Sequence, residues 1–297
     1  RPVTGQLTFT ITDPSGKETR IAQFEAPQYV PDQLSYLIAE NVATAPLEAE
    51  GVWRTGLKLS SAPQSTHVRE IYVVNPKPTA PRPIRVGVSG LLKSISAQLT
   101  NLPGVAIEPF TPAGKYDVIV ASAPTALETA AVTTDDVGAD KRAAALAESG
   151  LAPEVLAAFQ SGTPLFIVCT NDGQAAGVAK QLAAAGILNF DGMVGASRAS
   201  WMGTWYFVRQ HPVYAALPTN RAMSIEYQVR GSDSNGLLVD APNLEIIAAY
   251  SRDHELRIGA GTFALKTSNS RLVFHRITGM HPVFHQRLLA NAIQYLA

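Results

Sequence analysis

Apolar and polar residues alternate along LTFTITDPSG from residue 7. Leu7, Phe9 and Ile11 fall on one side and Thr8, Thr10 and Thr12 on the other, which is the period-2 pattern of a half-buried strand. Asp13-Pro14-Ser15-Gly16 has turn chemistry, and ETRIAQFEA answers it as the return strand of a hairpin. The same alternation returns in GVWRTGLKL at residues 51–59 and in VREIYVV at residues 68–74. Short strands separated by turns, with no helical period, predict an antiparallel β-sandwich of immunoglobulin-like (Ig-like) form over residues 1–75. With a single cysteine in the chain, such a domain would rest on its core alone.

Residues 75–83, NPKPTAPRP, hold four prolines in nine positions. That composition enforces an extended, semi-rigid spacer, so a linker is expected at 76–83. After it the pattern changes to strands alternating with helices. IRVGV (84–88), VAIEPF (105–110), YDVIVA (116–121) and LFIVC (165–169) read as strands, and residues 91–102 and 153–161 as helices. Residues 123–150 are rich in Ala, Thr and Asp and read as a partly helical surface excursion. Further strands are expected in WYFVRQHPVYAALP, MSIEYQV, LEIIAAYS and RLVFHRI, with a closing amphipathic helix at 283–296. Strands joined by helices of this length imply right-handed crossovers and a parallel sheet. Residues 84–297 are therefore expected to form a doubly wound, flavodoxin-like α/β domain. Its centre is PLFIVCTNDGQAAGVAKQLAAAG at 164–186, a buried strand feeding a helix, with Cys169 where such sheets bind ligands.

Composition narrows the classes of function. Charged residues make up 16% of the chain and apolar ones 46%, against about 25% charged in an average domain. Lys and Arg total 24, as do Asp and Glu, so no overall field draws the chain to nucleic acid or to an acidic membrane surface. No apolar run approaches the roughly 18 residues of a membrane span. The opening RPVTGQLTF lacks a starting Met and a signal peptide and reads as a mature or excised fragment.

Several residues are candidates for chemistry. Val88-Ser89-Gly90 follows the first strand of the second domain, but neither GxGxxG nor GxxxxGK[ST] is present, which leaves a tight strand-to-helix turn. Cys169 is the candidate nucleophile, with His254, Glu255 or His275 as partners. Its β-branched neighbours Val168 and Thr170 do not suit a strained elbow, and a buried free cysteine is ordinarily inert. His281 and His285 have metal-ligand spacing on one helical face. No Glu stands between them as in HExxH, and Pro282 places His281 ahead of the first turn, so capping is the expected role and no metal site is assigned. Trp201, Trp205, Tyr206 and His211 form the densest aromatic and imidazole cluster, a carbohydrate or domain-contact patch if exposed and core packing if not. Tyr29, Tyr36 and Trp53 offer a second such face, with Trp53 expected to pack between sheets. No pair of carboxylates stands out for glycoside hydrolysis.

Two segments, GTWYFVRQHPVYAALPTNRAMSIEYQV (203–229) and HPVFHQRLLANAIQYLA (281–297), resemble the C-terminal region of large bacterial family-2 glycoside hydrolases, the β-galactosidase-like group. There a sandwich module similar to GQLTFTITDPSGK and REIYVV precedes a class I glutamine amidotransferase-like α/β domain. The resemblance covers nearly the whole chain and implies the tail of a longer enzyme. Its acid/base and nucleophile would lie in an upstream barrel, and the fragment itself would be non-catalytic. The amidotransferase G-x-C-x-G elbow and His-x-Glu partner are not reproduced around Cys169 or His254, so no functional residue carries over and no cofactor is implied. The implied partners are the upstream catalytic domains of the same chain, a second copy, since relatives of this domain act in trimerisation, and a carbohydrate. The implied location is periplasmic or secreted. The rival readings are a Cys169-dependent amidase or hydrolase and a carbohydrate-binding module.

Overall fold

The computed structural model describes residues 4–28, 30, 32, 35, 37–91, 93–123, 150–194, 204–220, 227, 236–252, 256–276 and 280–297. The chain divides into two compact units, Arg1–Asn75 and Pro76–Ala297.

In the first unit β1 (Gln6–Thr12), β2 (Glu18–Glu25), β3 (Gly51–Leu59) and β4 (Ala62–Val73) form one antiparallel sheet in the order β2-β1-β3-β4. The turn after β1 is organised by Asp13, whose carboxylate accepts from Ser15 N at 2.9 Å and Lys17 N at 3.0 Å. Those hydrogen bonds, that of the Ser15 hydroxyl foremost, hold the Asp13 carboxyl below the usual range. Cross-strand register collects Leu7 with Leu59, Phe9 with Leu57 and Trp53 with Ile71 on one face. The other face carries Thr8 beside Lys58 and Thr12 beside Arg54, with Lys58 paired to Glu18 at 2.8 Å.

The alternation thus yields the strand and the shared faces, although burial does not follow it, Thr10 being buried and Leu7 and Phe9 only half-buried, and a two-layer Ig-like sandwich is not what it builds among the described residues. The sequence offers four alternating runs where such a sandwich needs about seven strands, and the described residues of the 26–50 connection are in no strand. Trp53 accordingly has no second sheet to pack against among the described residues. It is half-buried, and its indole donates to Ala49 O at 2.8 Å.

The second unit is built on a ten-stranded mixed sheet. Its elements are β5 (Ile84–Ser89), α1 (Lys93–Leu99), β6 (Val105–Pro109), β7 (Val118–Ala121), α2 (Pro153–Gln160), β8 (Leu165–Cys169), α3 (Asp172–Ala184), β9 (Asn189–Met193), β10 (Thr204–Val208), β11 (Leu237–Asp240), β12 (Leu244–Arg252), β13 (Gly259–Lys266), β14 (Arg271–Arg276) and α4 (Pro282–Leu296). A 3-10 turn, Pro212–Tyr214, follows β10 where a longer strand was expected. Strands β6, β5, β7, β8 and β14 run parallel in that order. From β14 the sheet continues antiparallel through β13 and β12 to β10, with β11 and β9 joined at the start of β13. The wholly parallel sheet expected from the strand-helix alternation is therefore only half of the structure. The hairpin β13–β14 introduces the reversal, and β13 escapes pattern reading because GAGTFALK is largely small residues, although seven of its eight positions are buried.

Local chemistry sets the helices. Pro153 opens α2 from its first turn, and Val155 and Phe159, one turn apart, are its buried residues. Asn171 caps α3 by accepting from Gln174 N at 2.9 Å, and Gly186 follows at φ +68°. Leu165, Ile167 and Cys169 of β8 join one core cluster with Phe159, Val178 and Leu182. Alternation turns Phe166 and Val168 to the other face, where α4 packs on β7, β8 and β14. The carboxyl end of α4 is neutralised by cations: Arg271 donates to Leu296 O at 2.7 Å and Arg82 to Ala297 O at 2.5 Å.

The proline-rich segment is laid along this unit. Ala80 is buried, with its N donating to Pro103 O at 3.0 Å. Pro78 O accepts from Gln294 at 3.2 Å, and Arg82 pairs with Asp117 at 3.0 Å. The residues that read as a spacer thus take part in the second unit's structure.

Strands β11 and β13 approach each other through Gly236 and Gly259. A Cβ on Gly259 would lie 2.5 Å from the Gly236 backbone, and backbone cannot yield as a flexible side chain can. Gly259→Ala is expected to destabilise the chain by about 1–3 kcal/mol, the range for overpacking a filled site, read as a lower urea midpoint at unchanged slope.

Candidate functional site at the carboxyl edge of the parallel strands

Because β5, β7, β8 and β14 are parallel, Ser89, Ala121, Cys169 and Arg276 all end at one edge of the sheet. This is the edge where open α/β sheets bind ligands. Gly90 follows β5 at φ +66°, and a Cβ there would meet Ser122 O at 2.3 Å. Ser122 N donates to Ser89 O at 3.0 Å, so this is a tight turn closed on its neighbour, as the missing glycine motifs suggested.

Cys169 is 1% exposed and lies on the α3 side of the sheet. Burial pushes its thiol up to about 12, against the opposing pull of the Arg276 guanidinium. The thiolate that a nucleophile requires is thus strongly disfavoured. His275, one of the proposed bases, is in register with Val168 on the adjacent strand and stacks on His285 of α4, across the sheet from Cys169. His254 and Glu255 lie outside the described residues.

What closes the edge is Gln174, the third residue of α3 and fully buried. Its Oε1 accepts from both Thr170 N and Thr170 Oγ1 at 2.9 Å, and its Nε2 donates to Ala123 O at 2.6 Å. One amide thereby stitches the ends of β7 and β8 together. Beside it Arg276, 2% exposed, pairs with Asp172 at 2.5 Å, and the Tyr250 hydroxyl donates to Arg276 O at 3.4 Å. Sequence reading missed these residues. The available signals were an arginine closing RLVFHR at the end of a strand with the apolar run Leu272–Phe274 and the Asn-Asp-Gly-Gln opening of the helix after the central strand.

Of the proposed sugar patch, the two residues whose side chains are described, Tyr206 and His211, are not at a surface. Tyr206 is completely buried, its hydroxyl 2.9 Å from Tyr214 OH, which in turn lies 3.0 Å from Thr262 Oγ1. Burial holds the phenols of Tyr206 and Tyr214 well above their ordinary range, in Tyr214 against the opposing effect of its hydrogen bonds to Thr262 and Tyr206. His211 is buried too. Its Nδ1 accepts from Val213 N at 3.2 Å and its ring packs on Tyr295 at 4.9 Å. Burial lowers its proton affinity, while Glu245 opposes that effect. Both residues are core, because β10 turns Tyr206 inward against Tyr250 and Tyr227. Trp201 and the Trp205 side chain lie outside the described residues, as do Tyr29 and Tyr36.

His281 caps α4, its Nδ1 accepting from Val283 N at 3.3 Å, whereas His285 is buried with its Nδ1 2.7 Å from Gln98 Oε1. The two do not converge on a common site, and no three His, Cys, Asp or Glu residues among the described ones are grouped to hold a metal. No helix among the described residues is long and apolar enough to cross a membrane. An open depression of about 400 Å³ lies at the opposite, amino edge of β8, between Gln160, Gly186, Asn243 and Asn269, well away from Cys169. No family model matches the chain, and no curated protein matches it significantly.

The thiol of Cys169 is expected to ignore a disulfide reagent such as Ellman's in the folded chain at pH 8, and to release one equivalent of product on unfolding. Rapid reaction without denaturant would show an accessible thiolate. Cys169→Ser would bury a hydroxyl in an apolar setting and should cost about 1–3 kcal/mol by denaturant titration.

Proposed function

We propose that this chain is a non-catalytic accessory region of a larger, β-galactosidase-like glycoside hydrolase, serving packing and assembly of that enzyme. The observation that carries the reading is the way the described residues at the carboxyl edge of the second unit bury Cys169. The position that would hold the nucleophile in an amidotransferase-like domain is occupied by a thiol that is 1% exposed and pushed up to about 12. The resemblance of residues 203–229 and 281–297 to the tail of family-2 glycoside hydrolases supplies the parent. The parallel order β6-β5-β7-β8-β14, which is 2-1-3-4-5 when the strands are numbered along the chain, is the flavodoxin-like order. It supports a doubly wound, amidotransferase-like ancestry for the parallel half.

The rival readings need features that are hard to reconcile with this geometry. A Cys169-dependent amidase needs an ionisable thiol beside a base, and a carbohydrate-binding module using Tyr206 and His211 needs those rings at a surface.

The test is to express the gene's longer reading frame, the same frame ended before Arg1, and the 297-residue chain alone, and to compare turnover and sedimentation. The isolated chain is expected to hydrolyse neither aryl galactosides nor glutamine. The longer product should cleave the galactoside, and removing residues 1–297 should change its association state or lower its thermal midpoint. Cys169-dependent hydrolysis by the isolated chain, or an upstream frame without a glycosidase, would overturn the proposal.

A further inference from the structure

The seam between α4 and the sheet contains two histidines and little that could accommodate a charge on them. His275 of β14 is fully buried and His285 of α4 nearly so, and their rings stack with centroids 5.6 Å apart and planes at 30°. His275 Nδ1 lies 2.9 Å from Thr262 Oγ1, the end of the hydroxyl chain from Tyr206 and Tyr214, while His275 Nε2 is buried with no hydrogen-bond partner. His285 Nδ1 meets Gln98 Oε1 of α1 at 2.7 Å, and Gln286 donates to Gln98 O at 2.7 Å. The imidazole pair therefore joins three elements: β14, α4 and α1.

We propose that the stacked His275–His285 pair is an acid-released latch that holds α4 and α1 against the parallel sheet. A proton on either ring puts a cation against the other ring in a site without compensation. On β14 the neighbouring charge is Arg276, which Asp172 of α3 pairs. On α4 it is Arg287, bonded to Asn291 at 3.0 Å. The 3-10 turn presents Tyr214 through Thr262 of β13, α1 presents the neutral Gln98, and β8 presents Val168. Among the described residues no carboxylate bonds either ring. Release would uncover the buried side chains of Leu288, Leu289 and Ile293 and the sheet face beneath them.

The direction with pH follows from burial. It holds His275 well below its ordinary range, with the charges of His285 and Arg276 adding to the effect, and lowers His285 to about 4. A released imidazole binds its proton near 6.5. The open state therefore holds more protons than the closed one as pH falls below about 6.5. The latch is at full strength above that pH and weakens steadily toward 4.

Hydrogen exchange of the α4 amides in the 297-residue chain, corrected for intrinsic rates, reads this directly. Between pH 7.5 and 5.0 protection should fall by about thirtyfold for each imidazole involved. His285→Gln and His275→Gln should each remove about one such factor. Proton uptake on unfolding of the unaltered chain, measured at pH 5.5 in two buffers of different ionisation enthalpy, should be about two or more, and this holds even if a variant fails to fold. Protection of α4 that is level across the range, absence of proton uptake, or a pH dependence removed by His211→Gln but kept by His285→Gln would overturn the latch.

Discussion

Strand β8 is enclosed from every direction, and the rest of the second unit depends on that enclosure. Parallel ladders to β7 and β14 fix its edges, α2 and α3 cover one face, and α4 covers the other. All five of its side chains are buried. At about 1.5–3 kcal/mol for each large aliphatic or aromatic side chain removed from water, this strand contributes more to stability than any polar contact nearby. The same desolvation governs what its carboxyl end can contain. A charged thiolate is excluded there, so Cys169 is held as a neutral thiol. The polar groups that do enter must be bonded within the protein, as Gln174 is at both ends of its amide and Arg276 is to Asp172.

The legible parts of the chain were those in which side-chain period or a continuous apolar run marks the strand. Leu7, Phe9 and Ile11 announced both their strand and its apolar face, and LFIVC announced a strand covered on both sides. The expected sandwich went astray for want of a count, since the four alternating segments make one sheet among the described residues. β13 was invisible because small residues fill its buried positions, Gly259 against the Gly236 backbone and Gly261 against the Tyr250 ring, which leaves no apolar period. Tyr206 illustrates a different limit. A strand has two faces, and its sequence does not say which one meets the core when both neighbours are aromatic. The position of Cys169 at the strand's end could be read directly. Its closure by Gln174 could not, because that depends on where Ala123, in another connection, places its carbonyl.

The second unit's buried polar residues divide into two sets on opposite faces of the sheet. On the α3 side, Gln174 and Thr170 consolidate the strand ends. On the α4 side, hydroxyls from Tyr206, Tyr214 and Thr262 run in sequence to His275. Neither set includes a titratable group poised near neutral pH beside an accessible nucleophile, the combination that general acid–base catalysis needs. The phenols are pushed up, the thiol is pushed up, and the buried imidazoles are pushed down, each toward its neutral form. An interior that neutralises all of these groups is arranged for cohesion. The proposal of an accessory role rests on this neutral interior among the described residues, with the Cys169 thiol its central instance.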